Sequence, residues 1–349
     1  MSPAETTPFI PTELWAPDSE EFDLGTPIHR ALEEMNGKDP SQLISSLEKS
    51  VEHSERGVAY AILKGDNPGE YSDSEALVMF NPFANAATPN MLVRAEFIRT
   101  VAKFSDVRDA QGKLKPVVML ASPGSNGSSL RLTRDERQEL RRGELGPAAR
   151  ELLHAVSEQE IGRVTLLGFS QGADLALAGA RKAYAANLDT HAVAVGDPAG
   201  VEDRTMPRLA GDFFKAGAKD LKQAITATGL TAQQKALGAG MVDFIHFGVS
   251  ALRPTNLRLY NTLGANSFEA HVQQILDEKV VDRLAVGYGG NSAISKPEAI
   301  EPALQRLYDE YGEGSFISIK VDGGKHTWGD QLTLLSKLYM EAAASPAGS

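Results

Sequence analysis

The sequence predicts an α/β protein with a mainly parallel, doubly wound sheet and a helical cap insertion. Three observations predict it. From Gly57 to Pro198, short apolar runs bounded by turn residues alternate with stretches of helical length and period. Several of those runs, such as "ALVMF" and "VVML", are unbroken by polar residues, as strands covered on both faces are. The alternation stops over residues 200–255 and resumes after them.

Residues 1–25 are rich in Pro, Thr and acids, and read as a surface arm anchored by Trp15. Residues 27–55 read as helical, with "IHRALEEM" and "SQLISSLEKSVEH". The segments "GVAYAILKG" (57–65) and "ALVMFNPF" (76–83) read as strands separated by turn residues. The spacing predicts a helix over 89–104, with Pro at its start, then a strand over 115–124 that ends in a Gly/Ser-rich loop. "RDERQELRR" (134–142) is mixed in sign and reads as a solvated helix face. A helix over 146–159, a strand over 163–168, a helix over 173–186 and a strand over 190–198 follow.

Two helical patterns then come in succession. The second opens with Thr231 and Gln234 at capping-box spacing. A helical insertion of this kind sits over the sheet as a cap. The remaining segments are a helix over 266–280, a strand over 283–290, a helix over 297–311, a strand over 315–324 and a closing helix over 330–344. The organisation expected is therefore an N-terminal arm with helices (1–56), a first part of the core (57–199), a cap (200–260) and a second part of the core (261–349).

Composition narrows the function. The net charge of −11 argues against nucleic acid or anionic lipid as the main partner, because both require a positive surface. The absence of cysteine removes thiol catalysis, disulfides and Cys-ligated metals. No stretch approaches the roughly 18 apolar residues of a membrane span. The N-terminal residues carry no basic start followed by an apolar run, so no signal peptide is expected and a cytoplasmic location is. No metal and no cofactor are expected, since the seven histidines show no ligand spacing and no D-x-D-x-D-G loop occurs.

The chemistry concentrates in Gly168-Phe169-Ser170-Gln171-Gly172, which matches G-x-S-x-G between a predicted strand and a predicted helix. A sharp strand-to-helix turn strains its central residue and leaves room only for small residues two positions away on either side. It lifts the hydroxyl of Ser170 clear of the sheet. It also turns the helix N-terminus and the N–H of Gln171 toward any oxyanion that forms there. The plainer alternative is an ordinary tight turn.

Here the chain resembles the α/β-hydrolase superfamily, in its serine-nucleophile branch, from about Gly57 to Ala344. The resemblance lies in the order of elements, the "GFSQG" elbow, the helical insertion after the following strand and a late histidine. It implies that His326, in the "VDGGKHTWGD" loop before the last helix, is the base. It also implies a second oxyanion donor in "FNPFANAATPN". There Phe83 or Ala84 has a backbone N–H to give, Pro82 has none, and Asn81 or Asn85 adds a side chain. The family's usual acid position falls in "GGNSAIS", where this chain departs from the pattern with Asn291 or Ser292. Asp197 in "AVGDPAG" is the best replacement, since some family members place the acid there, though Asp before Pro is also a routine turn residue. Asp322 and a Ser–His pair helped by Asn291 are the other options. Asp174 is expected to support the elbow helix through its dipole.

A serine nucleophile implies acyl transfer. The expected partner is a small ester or thioester whose acyl or aromatic part is apolar and meets Phe213, Met241 and Phe244 of the insertion. A homo-oligomer is left open. Two rivals stand beside this reading: a fold-retaining, non-catalytic binding or scaffold protein, and a lipid or cell-envelope esterase, because "GFSQGA" resembles the elbow of cutinase-like and mycolyl esterases.

Overall fold

The computed structural model describes residues 12–19, 21–82, 89–122, 128, 132–205, 208, 266–312, 314–325 and 332–343. The chain begins with β1 (Thr12–Trp15), α1 (Thr26–Asn36), α2 (Pro40–Lys49), β2 (Val51–His53), β3 (Ala59–Leu63), β4 (Glu75–Phe80) and α3 (Pro89–Phe104). It continues with β5 (Val117–Leu120), α4 (Arg134–Arg141), α5 (Gly146–Ser157), β6 (Arg163–Phe169), α6 (Gln171–Lys182) and β7 (Asp189–Gly196). After the insertion come α7 (Phe268–Asp277), β8 (Arg283–Gly289), α8 (Pro297–Tyr311), β9 (Ile317–Val321) and α9 (Leu332–Ala343).

Among the described residues, nine strands form one sheet in the order β1-β9-β8-β7-β6-β4-β5-β3-β2. Six neighbouring pairs are parallel, and only β3, paired with β5 and β2, runs the other way. Side chains alternate across the sheet as the pleat requires. On β4, Ala76, Val78 and Phe80 face the layer of α4 to α8, while Leu77 and Met79 face the layer of α1, α2, α3 and α9. Both faces are therefore covered, which is why the central strands are apolar without alternation.

Local chemistry sets the helix ends. Asp39 caps α2 by accepting the Gln42 N–H at 2.8 Å. Thr133 and Glu136 form a reciprocal capping box at α4. A proline stands in the first turn of α1, α2, α5 and α8, where its missing N–H loses no helical bond.

Two expectations at the N-terminus are corrected. The arm contains a strand: β1 pairs parallel with β9 at the sheet edge, and Trp15 is buried beneath it. The helical reading of residues 27–55 runs too far, because α2 ends at Lys49 and Val51–His53 forms the opposite edge strand against β3. In both cases a distant or adjacent strand supplies backbone partners that local propensity does not reveal. Of the expected cap (200–260), residues 206, 207 and 209–260 lie outside the described residues.

Candidate functional site at the carboxyl ends of the strands

The parallel register brings the ends of the central strands to one level. Phe169 pairs with Gly196 and Gly287 also pairs with Gly196, so Ser170, Asp197 and the loop after β8 leave the sheet side by side. In open α/β sheets this edge is where ligands bind.

Ser170 has φ 56° and ψ −127°, a left-handed backbone that is strained for a residue with a Cβ. Its N–H donates to the Gly196 carbonyl at 2.9 Å, which ties the turn to β7. Its own carbonyl accepts the Ala173 N–H at 2.9 Å, which starts α6. The flanking glycines are sterically required. A Cβ on Gly168 would stand 2.1 Å from the Gly172 carbonyl oxygen, and one on Gly172 would stand 2.3 Å from the Phe80 carbonyl oxygen. Gly172 lets α6 start directly against β4, and Gly168 lets the helix fold back over β6. The result is a serine at a helix N-terminus, where positive partial charge gathers.

Asp197 is fully buried and also has a positive φ, 47°. Its N–H donates to Gly287 at 2.7 Å. Its Oδ1 accepts the Gly289 N–H at 3.0 Å, and its Oδ2 accepts the Ser292 hydroxyl at 2.6 Å. Ser292 Oγ in turn accepts the N–H groups of Ile294 and Ser295, and the Ser295 hydroxyl donates to the Pro198 carbonyl. Each oxygen of this buried carboxyl thus has a hydrogen-bond donor, as buried polar groups generally do. The structure thus brings together two of the residues considered for the acid, with the carboxyl on β7 and a hydroxyl at the position after β8.

The other two stand apart from them. Asn291 is exposed, and its N–H donates to the Gly324 carbonyl at 2.7 Å. Asp322 is exposed, and its N–H donates to the Trp15 carbonyl at 2.7 Å. The Asn291 bond and that of the Gly290 N–H to the Val321 carbonyl stitch the ends of β8 and β9 together, while the Asp322 bond ties the end of β9 to β1. His326, Phe83, Ala84, Phe213, Met241 and Phe244 lie outside the described residues.

Asp174 corrects a narrower expectation. It does stand in the first turn of α6, but its carboxylate reaches across to the loop after β7. There it accepts the N–H groups of Ala199 at 3.1 Å and Gly200 at 3.2 Å. Burial pushes its pKa up to about 7, against the pull of those two donors. Gly200 is needed here as well, since a Cβ would lie 3.2 Å from Asp174 Oδ1 and 2.9 Å from Ser267 Oγ. The available signal was a lone acid in the apolar stretch "QGADLALAGA", where a charge must find partners inside.

Of the described histidines, His191 sits near the start of β7, at the other end of the sheet from Ser170, and bonds Asp282 at 2.8 Å. His271 lies on α7, and burial, with Arg181 nearby, pushes its pKa down to about 4. Among the described residues no group of His, Asp and Glu is placed to hold a metal ion, and no helix is long and apolar enough to cross a membrane.

Nine strands in this order, helices on both faces and a strained serine between β6 and α6 define an α/β-hydrolase fold. Solved structures of that fold resemble the chain, and those named here are esterases and hydrolases. A carboxylesterase of Nitrososphaera gargenis is 13% identical at a TM-score of 0.47, over 80% of this chain and 92% of that one. The enol-lactonase of Burkholderia xenovorans LB400 is 14% identical at a TM-score of 0.45, over 82% and 97%. The 2-hydroxy-6-oxo-6-phenylhexa-2,4-dienoate hydrolase of Rhodococcus sp. strain RHA1 is 12% identical at a TM-score of 0.47, over 83% and 98%. No family model matches the chain, and no curated protein matches it. The fold assignment rests on the strand order and the serine turn.

Proposed function

We propose that the protein is a serine hydrolase that cleaves a carboxylic ester or thioester with an apolar acyl or aromatic part. The observation that carries this reading is the backbone of Ser170: a positive φ, held between two glycines whose Cβ atoms would collide with main chain. Such strain persists only where surrounding structure enforces it, and it clusters at reactive sites.

In the proposed reaction His326 takes the Ser170 proton as Oγ attacks the acyl carbon. The tetrahedral oxyanion is met by the N–H of Gln171 and by a backbone N–H of Phe83 or Ala84. Collapse breaks the acyl–oxygen or acyl–sulfur bond, and the departing group takes the proton from His326. Water then repeats the sequence on the acyl-enzyme and releases the acid. Asp197 balances the imidazolium charge, and its two donors, Gly289 N–H and Ser292 O–H, hold it in one orientation. Phe213, Met241 and Phe244 line the acyl pocket in this reading. The binding or scaffold alternative and the envelope-lipid esterase share the same fold and part at the experiment.

The test is covalent labelling of the purified protein with an alkyl fluorophosphonate, read by intact mass, with Ser170→Ala beside it. One adduct that disappears in the variant supports the reading. A folded wild type that takes no adduct overturns it in favour of a binding protein. A requirement for long acyl chains in a later ester series would select the lipid esterase.

A further inference from the structure

We infer that Asp174 is a positioning residue, whose ionised carboxylate fixes the loop of the acid, Asp197, against the helix of the nucleophile, Ser170. This rests on the serine-hydrolase reading above and adds to it a residue that acts through the backbone of that loop.

Asp174 stands one turn past Ser170 on α6, and its N–H reaches the Ser170 carbonyl at 3.4 Å. Its carboxyl is wholly buried and ends on the loop after β7, where Oδ2 accepts the Ala199 N–H and Oδ1 the Gly200 N–H. Pro198 separates Ala199 from Asp197 and has no N–H to give. The Asp197 N–H itself goes to the Gly287 carbonyl at 2.7 Å. From Asp197 to Gly200, both remaining backbone donors therefore end on Asp174. The other ties of this loop run elsewhere. Asp197 and Pro198 accept the hydroxyls of Ser292 and Ser295, and the Gly200 carbonyl accepts the N–H groups of Ser267 and Phe268 at 2.9 Å. Asp174 supplies a tie to the nucleophile's own helix.

Charge decides how firmly that tie holds. An ionised carboxylate accepts strongly on both oxygens, whereas a protonated one carries an O–H on one of them and meets the facing N–H more weakly. Burial holds the proton on Asp174 up to about pH 7, the two N–H groups oppose it, and among the described residues no charged side chain contributes. On α7, which packs against α6, Ser267 is uncharged. His271, one turn further, has its pKa pushed down to about 4 by burial and is neutral in this range. Arg181 of α6 and Glu278 after α7 bond each other at 3.0 Å. Along the loop, Glu202 is held by Arg204 and Lys296. The tie between nucleophile helix and acid loop therefore tightens as pH rises through neutrality.

The test compares Asp174→Asn with wild type in the rate of alkyl fluorophosphonate labelling, at a temperature where both are folded. The amide keeps the shape and, like the protonated acid, has one strongly accepting oxygen. Titration of the base is common to both proteins and cancels in the ratio of their rates. The variant is expected to label within about threefold of wild type at about pH 5.5 and at least about 10-fold more slowly at about pH 8.5, since a misplacement of about 1 Å costs up to about 10²-fold. Its urea midpoint relative to wild type should move the other way and rise over the same range, because burial disfavours the wild-type charge. A residue that merely held the fold would lose rate and stability together. A rate ratio that stays flat with pH overturns the inference. Should Asp174→Asn not fold, the wild type decides the matter. Its labelling rate must then show two ionisations as pH rises, and a profile that one ionisation fits refutes the assignment. Failure of the wild type to label at all would strike the serine-hydrolase reading instead, so the two outcomes are distinguishable.

Discussion

Gly172→Ala makes the sharpest test of how the site is built. The new Cβ would stand 2.3 Å from the Phe80 carbonyl oxygen and 3.0 Å from that of Asn81. Both obstacles are backbone, so no side chain can swing aside. An ordinary carbon–oxygen contact lies near 3.4 Å, so α6 must retreat from β4 by about 1 Å, or β4 must bend. Overpacking of this kind costs about 1–3 kcal/mol of stability. A displacement of about 1 Å between reacting groups costs on the order of 10²-fold in rate. Gly179→Ala serves as the control on the same helix. Its Cβ would meet the tip of the Phe80 ring at 3.3 Å and otherwise only side-chain methyls at 3.5 Å or more. Against that, alanine improves helix propensity by up to about 1 kcal/mol, so the net change should stay below about 1 kcal/mol. The assay is urea unfolding alongside the fluorophosphonate labelling rate. Should Gly172→Ala keep both its stability and its rate while Gly179→Ala does not, the steric account of the elbow is wrong.

Two further predictions follow from backbone strain and from a buried charge. Ser170→Gly removes side-chain strain worth about 1–3 kcal/mol, offset by about 0.5–1 kcal/mol of added chain entropy when unfolded. It should melt at or above the wild-type midpoint while losing all labelling, and a clear loss of stability would show that φ 56° is not strained here. Asp174 holds its proton up to about pH 7 when folded, against an ordinary value of 3.8. Its contribution to stability is therefore full below about pH 4 and is lost as pH rises toward 7, by at most about 4 kcal/mol. Relative to wild type, Asp174→Asn should gain in urea midpoint between pH 4 and pH 7.5, and a difference that does not change with pH rejects the shift.

Much of the fold was legible because its signals are local. Pro89, Pro147 and Pro297 stand where helices begin, and the apolar runs of β4 to β8 are bounded by turn residues, so those elements fall within a few residues of expectation. The serine turn was legible for a steric reason, since small residues two positions away on both sides have a mechanical purpose. Asp197 was legible as an acid ending a strand, but its bond to Ser292 was not. That contact joins two loops 95 positions apart and needs β7 and β8 to be neighbours first. Nor was β1 legible: "TELW" is four residues with no alternation, and its partner strand lies near the other end of the chain.

The β1–β9 pairing has a consequence for biosynthesis. Thr12 and Ser318, which meet across it, are 306 positions apart. A ribosome adding about 5–20 residues per second needs about 15–60 s to cover that distance. For that interval β1 is a strand without a partner, carrying Leu14, which is 60% exposed even in the finished fold. Of the nine strands of this sheet, β1 is made first and is thus among the last to be paired. Trp15, buried only once β9 and α9 are in place, marks the completion of a sheet whose central strands can already have assembled.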